Sequence, residues 1–244
     1  ALYTARNFPE DYHDRAAFVC EPTGHLIHTN RLVRQGSGYV ARDGWNILAS
    51  DDEWTAPIMA EVGPDGALWV IDWYNFIVQH NPTPTGFKTG KGGAYVTPLR
   101  DKTHGRIYRI VYKGARGTRA ATRPALDRAA PRELVETLGH DNLWWRQTAQ
   151  RLLIERGQAD VLPLLAAQVR AGKNGPAALH ALWTMHGLGA FTAPDSKWLE
   201  ALGDGLKHPA PGVRKAALAV LPRDGASVRR ILDARSLADE DASR

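Results

Sequence analysis

Cysteine is nearly absent from this sequence, with one residue, Cys20, among 244. A single thiol excludes an intrachain disulfide framework, a four-cysteine zinc site and a C-x-x-C-H haem attachment motif. Cys20 follows Phe18 and Val19, so we interpret it as a small core residue. Long apolar runs are also scarce. The longest stretch without a formal charge, 174–194, contains two histidines and three glycines, so the sequence predicts no membrane span.

Several motifs are missing as well. The sequence has no P-loop, no dinucleotide-binding fingerprint and no G-x-S-x-G nucleophile elbow, which leaves nucleotide-dependent and serine hydrolase classes without support. A basic segment followed by an apolar leader does not occur, and the first residue is Ala1. We therefore expect either a removed leader or a piece of a longer protein.

Charge is distributed unevenly along the chain. Residues 1–114 carry 12 basic and 12 acidic side chains, whereas residues 115–244 carry 19 and 14. The arginines of the second half alternate with acidic residues and do not form a basic stripe interleaved with aromatics. The sequence therefore predicts no nucleic-acid partner.

The first half has the pattern of β structure, in which short β-branched and aromatic runs lie between Gly, Pro, Asp and Asn. We expect the turns Pro22–Gly24 and Gly63–Gly66 to connect antiparallel strands. The segment Asn81–Thr97 is rich in Gly, Pro and Thr, which predicts a long surface loop. The predicted strands are Ala17–Glu21, His25–Leu32, Ile58–Val62, Ala67–Asp72 and Arg106–Tyr112.

The second half changes to a helical period. Apolar residues recur at spacings of three and four between Leu134 and Leu153 and between Val161 and Val169, which predicts amphipathic helices. The residues His140, Trp145, Arg146, Ala149 and Leu153 also have counterparts 68 positions later at His208, Val213, Arg214, Ala217 and Leu221. A shift of 68 residues equals two repeat lengths of about 34 residues, with a middle copy between the two matching ones. Such a repeat predicts a helical solenoid, in which each helix pair covers the apolar face of its neighbour.

Five segments resemble a known family of large bacterial proteins. They are Phe18–His28, Asp52–Trp54, Val62–Asn75, His104–Arg109 and Leu134–Gly157. Members of that family couple a β-propeller of the glucose or sorbosone dehydrogenase-like type to HEAT-like repeats, and they often end in a cytochrome c domain. The first four segments resemble the last propeller blades, and the fifth resembles the first helical repeat.

The resemblance implies a β + α protein of two domains. We expect a partial β-propeller of its last blades in residues 1–114, a linker in 115–126 and a HEAT-like α-solenoid in 127–244. It also implies export to the periplasm or cell surface, and kinship to quinoproteins that use pyrroloquinoline quinone and calcium, with haem c only outside this chain. Residues 1–114 have room for about two blades, whereas a closed propeller needs about four to eight. We therefore expect the same or another chain to supply the missing blades.

Three residues at the exit of the glycine-rich loop are candidates for catalysis or cofactor binding. His104 can act as a general base, and Arg106 can hold a carboxylate or a quinone oxygen with two hydrogen bonds. Asp101 lies within six positions of both and is a candidate for cofactor binding. The alternative is structural, with an Arg106–Asp101 ion pair that fixes the loop and His104 capping a turn.

Four further residues complete the predicted site. Asp72 and Asn75 follow an apolar strand and offer oxygen ligands that suit calcium, although such residues commonly satisfy turn amides instead. Tyr74 between them and His13, on a loop after Pro9–Tyr12, are candidates for cofactor binding. His13 has a structural alternative too, as a satisfied polar group.

Two functions of different classes remain open from the sequence. One is the C-terminal part of an extracytoplasmic quinoprotein-like sugar or alcohol dehydrogenase, with a cytochrome c as electron acceptor. In that enzyme a quinone takes the hydride and a side-chain base takes the hydroxyl proton. The other is a non-catalytic scaffold that binds proteins or carbohydrate. A propeller-like fold does not decide between them.

Overall fold

The computed structural model describes residues 1–35, 38–78, 83, 85–90, 95–114, 123–193 and 195–241. The chain divides into two compact units, one of residues 1–33 and 39–121 and one of residues 34–38 and 122–244. Strands form the first unit and seven α-helices form most of the second, within the ranges above. The predicted β + α class is confirmed at this level. The described residues form no closed ring of sheets.

The first sheet of the β unit has the strand order β1-β2-β3. Its strands are β1 (Ala16–Glu21), β2 (Leu26–Gln35) and β3 (Gly38–Ala49). Strands β1 and β2 are antiparallel, with Glu21 opposite Leu26, so the predicted hairpin at Pro22–Gly24 is confirmed. Strand β3 was not predicted, because Arg42, Asp43 and Gly44 interrupt its apolar alternation.

The second sheet has the order β4-β5-β8. It is built from β4 (Pro57–Val62), β5 (Leu68–Asp72) and β8 (Arg106–Ile110), all antiparallel. The turn Gly63–Gly66 connects β4 to β5 as predicted. Gly66 has φ +74°, and a Cβ there would lie 1.8 Å from the Asn7 side chain, so this position needs glycine.

A short ladder lies within the segment that was predicted to be all loop. Strand β6 (Lys88–Thr89) pairs with β7 (Tyr95–Val96) in antiparallel register. The prediction of an irregular loop over 81–97 is therefore wrong at these four residues, while positions 79–82, 84 and 91–94 lie outside the described residues.

An aromatic cluster forms the core of the β unit. Tyr3, Phe8, Tyr12 and Phe18 contact one another and pack with Ile27 and with the buried face of the second sheet. The Tyr3 hydroxyl donates to the Gly66 carbonyl and accepts from the Phe8 backbone N–H, at 2.9 and 2.8 Å. Burial raises the pKa of Tyr3 to about 12. Cys20 packs at the edge of this cluster.

The described residues of the helical unit form seven α-helices. Helix α2 contacts α4, and α4 contacts α6, while α3 contacts both α1 and α5. No helix among the described residues is long and apolar enough to cross a bilayer. The helices are α1 (Pro131–Thr137), α2 (Leu143–Glu155), α3 (Leu162–Ala171), α4 (Gly175–Gly187), α5 (Leu199–Leu206), α6 (Pro211–Val220) and α7 (Gly225–Asp233).

The predicted repeat has a matching set of hydrogen bonds. His140 Nδ1 accepts from the backbone N–H two residues later, at 2.9 Å, and Arg146 Nη1 donates to the His140 carbonyl at 2.6 Å. His208 and Arg214 make the same two bonds, at 3.0 Å each. Halfway between, Asn174 caps α4 through the Ala177 N–H. The middle copy thus uses another residue type for the same turn.

Candidate functional site

Asp72 is the centre of a polar network at one end of the second sheet. It is the last residue of β5, lies opposite Arg106 in β8, and is 1 % exposed. One carboxylate oxygen accepts from the backbone N–H groups of Ala56 and Tyr74, at 2.7 and 2.9 Å, and the other accepts from the Tyr108 hydroxyl at 2.8 Å. The carboxylate therefore ties three chain segments together.

Tyr74 supports the guanidinium of Arg106. The left-handed φ of +52° at Tyr74 is unusual for a bulky residue, and it follows from the turn that Asp72 holds. The Arg106 Cζ lies 3.6 Å from the centroid of the Tyr74 ring, a cation–π contact. Arg106 Nη1 also donates to Asp52 Oδ2 at 3.2 Å and to the Tyr108 hydroxyl at 3.3 Å.

The Asp101–His104 pair forms on the adjoining turn. The Thr103 backbone N–H and hydroxyl each donate to Asp101 Oδ1 at 2.8 Å, and His104 Nδ1 contacts Asp101 Oδ2. Because the Thr103 bonds and His104 favour the carboxylate form, the pKa of Asp101 is held well below its usual range. Asn75, itself buried, donates to the Asp101 carbonyl at 3.1 Å and links this turn to the end of β5.

A pocket of about 450 Å³ opens beside this network. Trp54 forms one wall, and its ring lies 5.9 Å from that of Tyr74 and 6.0 Å from that of Phe76. The remaining lining comes from Val96, Thr97, Pro98, Arg100, Asp101, Lys102 and Thr103. We call this cavity the Trp54 pocket. The lining combines an aromatic face with two cationic side chains, Arg100 and Lys102, and one carboxylate, Asp101; the two cations can bind an anionic planar ligand.

The structure brings together six of the seven predicted site residues. Asp72, Tyr74, Asn75, Asp101, His104 and Arg106 are connected through the bonds described above. His13 is different, since its Nε2 bonds the Phe8 carbonyl at 2.8 Å and its ring stacks on Tyr3. The contacts of His13 therefore belong to the aromatic cluster, as its structural alternative supposed.

The structural alternative for Arg106, an ion pair with Asp101, is wrong. Arg106 pairs with Asp52, and Asp101 pairs with His104. The physical reason is that β8 directs Arg106 toward Tyr74 and the Asp52 turn, while Asp101 is engaged by its own turn through Thr103.

The oxygen atoms of Asp72 and Asn75 do not fit a calcium site. Asp72 already accepts three hydrogen bonds, and the Asn75 side-chain oxygen accepts from the Ile77 backbone N–H at 3.1 Å. The described residues contain no cluster of three His, Cys, Asp or Glu arranged for a metal. These bonds are the turn-amide contacts that the sequence offered as the alternative role of both residues.

Asp52, Trp54 and Tyr108 belong to the site but were not among its predicted residues. Asp52 accepts from the Trp54 backbone N–H at 3.0 Å as well as from Arg106. The signal for them was present, because Asp52 and Trp54 form one of the segments that carry the family resemblance and Tyr108 lies within another. Without the pairing of β5 with β8, nothing in the sequence joins them to Asp72.

Comparison with known proteins gives one match. Residues 1–114 match the family model of a domain of unknown function (DUF7133). No curated protein and no solved structure matches the chain. The matched range includes the whole network of Asp52, Asp72, Asp101, His104 and Arg106.

Proposed function

We propose that the Trp54 pocket binds a hydroxylated substrate beside an anionic quinone, and that the Asp101–His104 pair takes the hydroxyl proton. The observation that carries the proposal is this pair, in which Asp101 lines a pocket that also has an aromatic face and two cationic side chains. His104 Nδ1–H donates to the Asp101 carboxylate, which leaves Nε2 as the acceptor nitrogen. The His104 side chain is 71 % exposed, so Nε2 is accessible to a ligand.

The chain's own residues have distinct parts in the proposed oxidation. Trp54 offers a face for stacking, and Arg100 and Lys102 would hold the carboxylates of pyrroloquinoline quinone. When bound, the quinone supplies the acceptor for the hydride of the alcohol carbon. His104 accepts the hydroxyl proton, and Asp101 stabilises the imidazolium that results. Calcium has no part in this proposal, because the oxygen atoms of Asp72 and Asn75 already accept hydrogen bonds.

Turnover of the His104→Gln variant tests the catalytic role. We expect quinone-dependent alcohol oxidation by the chain to fall by about 100-fold or more, since a positioned base contributes about that much. Quinone affinity, measured by absorbance titration, should not change. His186→Gln, at an exposed position of α4, is the matched control. Unchanged turnover in His104→Gln, or no turnover by the unaltered chain, would contradict the base role.

Binding of the quinone is a separate test. Lys102→Gln should weaken it about tenfold, the effect of one charge-assisted contact, whereas Lys113→Gln should leave it unchanged. If Lys102→Gln and Lys113→Gln bound the quinone equally well, Lys102 would have no part in holding it.

We further propose that the β unit is a set of last propeller blades and that the helices are a HEAT-like solenoid. Met59, Ile71 and Ile107 stand side by side on the outer face of the second sheet and are 46, 44 and 70 % exposed. A solvated sheet face is normally polar, so this row supports coverage by another blade. The serial contacts of α2, α4 and α6 support a stacked solenoid.

The same apolar row favours a second function, a non-catalytic binding scaffold. Both proposals place the protein in the periplasm or at the cell surface, and the enzyme also requires a cytochrome c from outside this chain. Native mass spectrometry of the protein from its source separates them. A longer chain with bound quinone or haem supports the dehydrogenase, while the bare 26.8 kDa mass supports the scaffold.

A further inference from the structure

A second pocket in the β unit shares no lining residue with the Trp54 pocket. It has a volume of about 360 Å³ and lies between the N-terminal segment, strands β2 and β3, and the end of β8. Its apolar walls include Phe8, Tyr12, Trp45, Ile47, Ile110 and Tyr112, and its two charged residues are Asp11 and Arg31. We call it the Trp45 pocket. Volumes in this range are typical of small-molecule sites.

Ring–ring contacts fix the position of the aromatic wall. Tyr12 is buried and meets Trp45 edge to face at 5.8 Å between ring centroids. Phe8 meets Tyr12 edge to face at 5.5 Å. Trp45 is nonetheless 51 % exposed, so a large part of its surface is open to a ligand. A flat apolar ring can contact such a wall without ordering flexible side chains.

Arg31 gives the pocket one oriented cationic group. Its Cζ lies 5.2 Å from the centroid of the Trp45 ring, which fixes the guanidinium beside the aromatic wall. Within the described part of the chain, its side chain makes one hydrogen bond, from Nη2 to Asp11 Oδ2 at 3.5 Å. A guanidinium has five N–H donors, so this long bond leaves most of its capacity for a ligand.

Asp11 competes only weakly with a ligand for the N–H donors of Arg31. Its side chain is 71 % exposed, and the Arg31 side chain is 43 % exposed. Exposed ion pairs contribute little free energy, whereas a bidentate carboxylate on Arg31 would be shorter and better aligned. A ligand carboxylate can therefore replace Asp11 at small cost.

We propose that the Trp45 pocket binds an aromatic monocarboxylate, with its ring against Trp45 and its carboxylate on Arg31. A cationic ligand would face the Arg31 charge. An uncharged apolar ligand would use the wall but leave the guanidinium donors unused. The site is independent of the proposed dehydrogenase function, since its residues take no part in the Trp54 pocket.

Calorimetric titration of the full chain tests the proposal with two probes of the same shape, 2-naphthoate and 2-naphthamide. We expect the acid to bind about tenfold more tightly than the amide, the effect of one charge-assisted contact. Arg31→Gln should remove that preference and leave the amide affinity unchanged. Asp11→Asn should tighten binding of the acid, because it removes the competing carboxylate.

Two control variants locate the site. Arg42→Gln, on β3 and exposed, should bind 2-naphthoate like the unaltered chain. Lys102→Gln, which removes one cation of the Trp54 pocket, should keep the preference for the acid over the amide that Arg31→Gln removes. Thermal melting establishes that Arg31→Gln remains folded. The proposal is overturned if acid and amide bind equally, if neither binds at millimolar concentration, or if Lys102→Gln rather than Arg31→Gln loses the acid.

Discussion

The repeated polar arrangement of the helical unit is local in sequence, whereas the Asp72 network of the β unit is long-range; the helical unit also has a long-range bond of its own, between His180 and Gln150. In the helical unit, His140 and Arg146 are six residues apart, and His208 and Arg214 make the same bonds. In the β unit, Asp72 joins groups that are 16 and 36 residues away. A local arrangement can be repeated along a chain, whereas a long-range one exists once. The β unit should therefore be the more sensitive to loss of a single polar side chain.

The largest expected effect is that of Asp72→Ala. Three donors, the N–H groups of Ala56 and Tyr74 and the Tyr108 hydroxyl, would lose their acceptor in a buried place. We expect the free energy of unfolding of the β unit to fall by about 3–5 kcal/mol. Urea titration followed by tryptophan fluorescence measures it. Asp51→Ala, at an exposed position, is the control, and a loss below about 1 kcal/mol for Asp72→Ala would contradict the comparison.

Acidification should act next most strongly, and on the helical unit. Burial lowers the pKa of His180 from 6.5 to about 4, so the unfolded chain binds a proton at a pH where the folded chain does not. Stability should fall as the pH drops below about 6.5 and level off below about 4, with a total loss of up to about 3 kcal/mol.

The variant His180→Gln isolates this contribution. Denaturant unfolding at several pH values should show a flatter profile for His180→Gln than for the unaltered chain. His186→Gln, at an exposed position of the same helix, should keep the original slope. His208, whose pKa burial also lowers, contributes in the same direction and remains in both variants. An unchanged slope in His180→Gln would assign the pH dependence to other groups.

Arg146→Met tests one copy of the repeated arrangement. The His140 carbonyl would lose a charge-assisted hydrogen bond, and we expect a loss of about 2 kcal/mol in the unfolding free energy. Arg151→Met on the same helix removes only an exposed pair with Glu155 and should cost about 0.5 kcal/mol or less. Chemical denaturation of both variants gives the values. If Arg146→Met lost more than Asp72→Ala, the contrast between the units would be reversed.

The smallest expected effect is that of Arg109→Gln in the β unit. Arg109 Nε donates to Asp65 Oδ2 at 2.5 Å; the Arg109 side chain is 45 % exposed, whereas that of Asp65 is 5 % exposed. Asp65 keeps its bonds from the Ala67 N–H and the Trp69 indole. We expect a loss of about 0.5–1 kcal/mol by thermal melting. A larger loss would mean that the buried Asp65 carboxylate needs Arg109 in addition to its bonds from Ala67 and Trp69.

Local features of the fold could be predicted from the sequence, and long-range ones could not. The turn at Gly63–Gly66 depends on the φ that Gly66 adopts, and the helices depend on apolar spacing; both are visible in neighbouring residues. Strand β3 was missed because its pairing with β2, rather than its own alternation, determines it. The middle copy of the predicted repeat was hard to recognise, because His180 stands at the position that Arg146 and Arg214 occupy in the other two copies.

The same distinction between local and long-range contacts applies to the candidate site. Asp101 and His104 are three residues apart, so their proximity could be expected from the sequence. The partner of Arg106 could not, because Asp52 reaches it only through the order β4-β5-β8 and the turn before β4. The resemblance segments contained Asp52, Trp54 and Tyr108, yet a linear motif does not say which residues touch.

The position of β8 in its sheet has a consequence during synthesis. Strand β5 can pair with β4 across the short Gly63–Gly66 turn once both have emerged, but its other edge has no partner until β8, which begins at Arg106, has left the ribosome. An open strand edge beside an apolar row is a template for wrong pairing. The nascent chain should therefore engage a holdase chaperone between the emergence of Asp72 and that of Ile110.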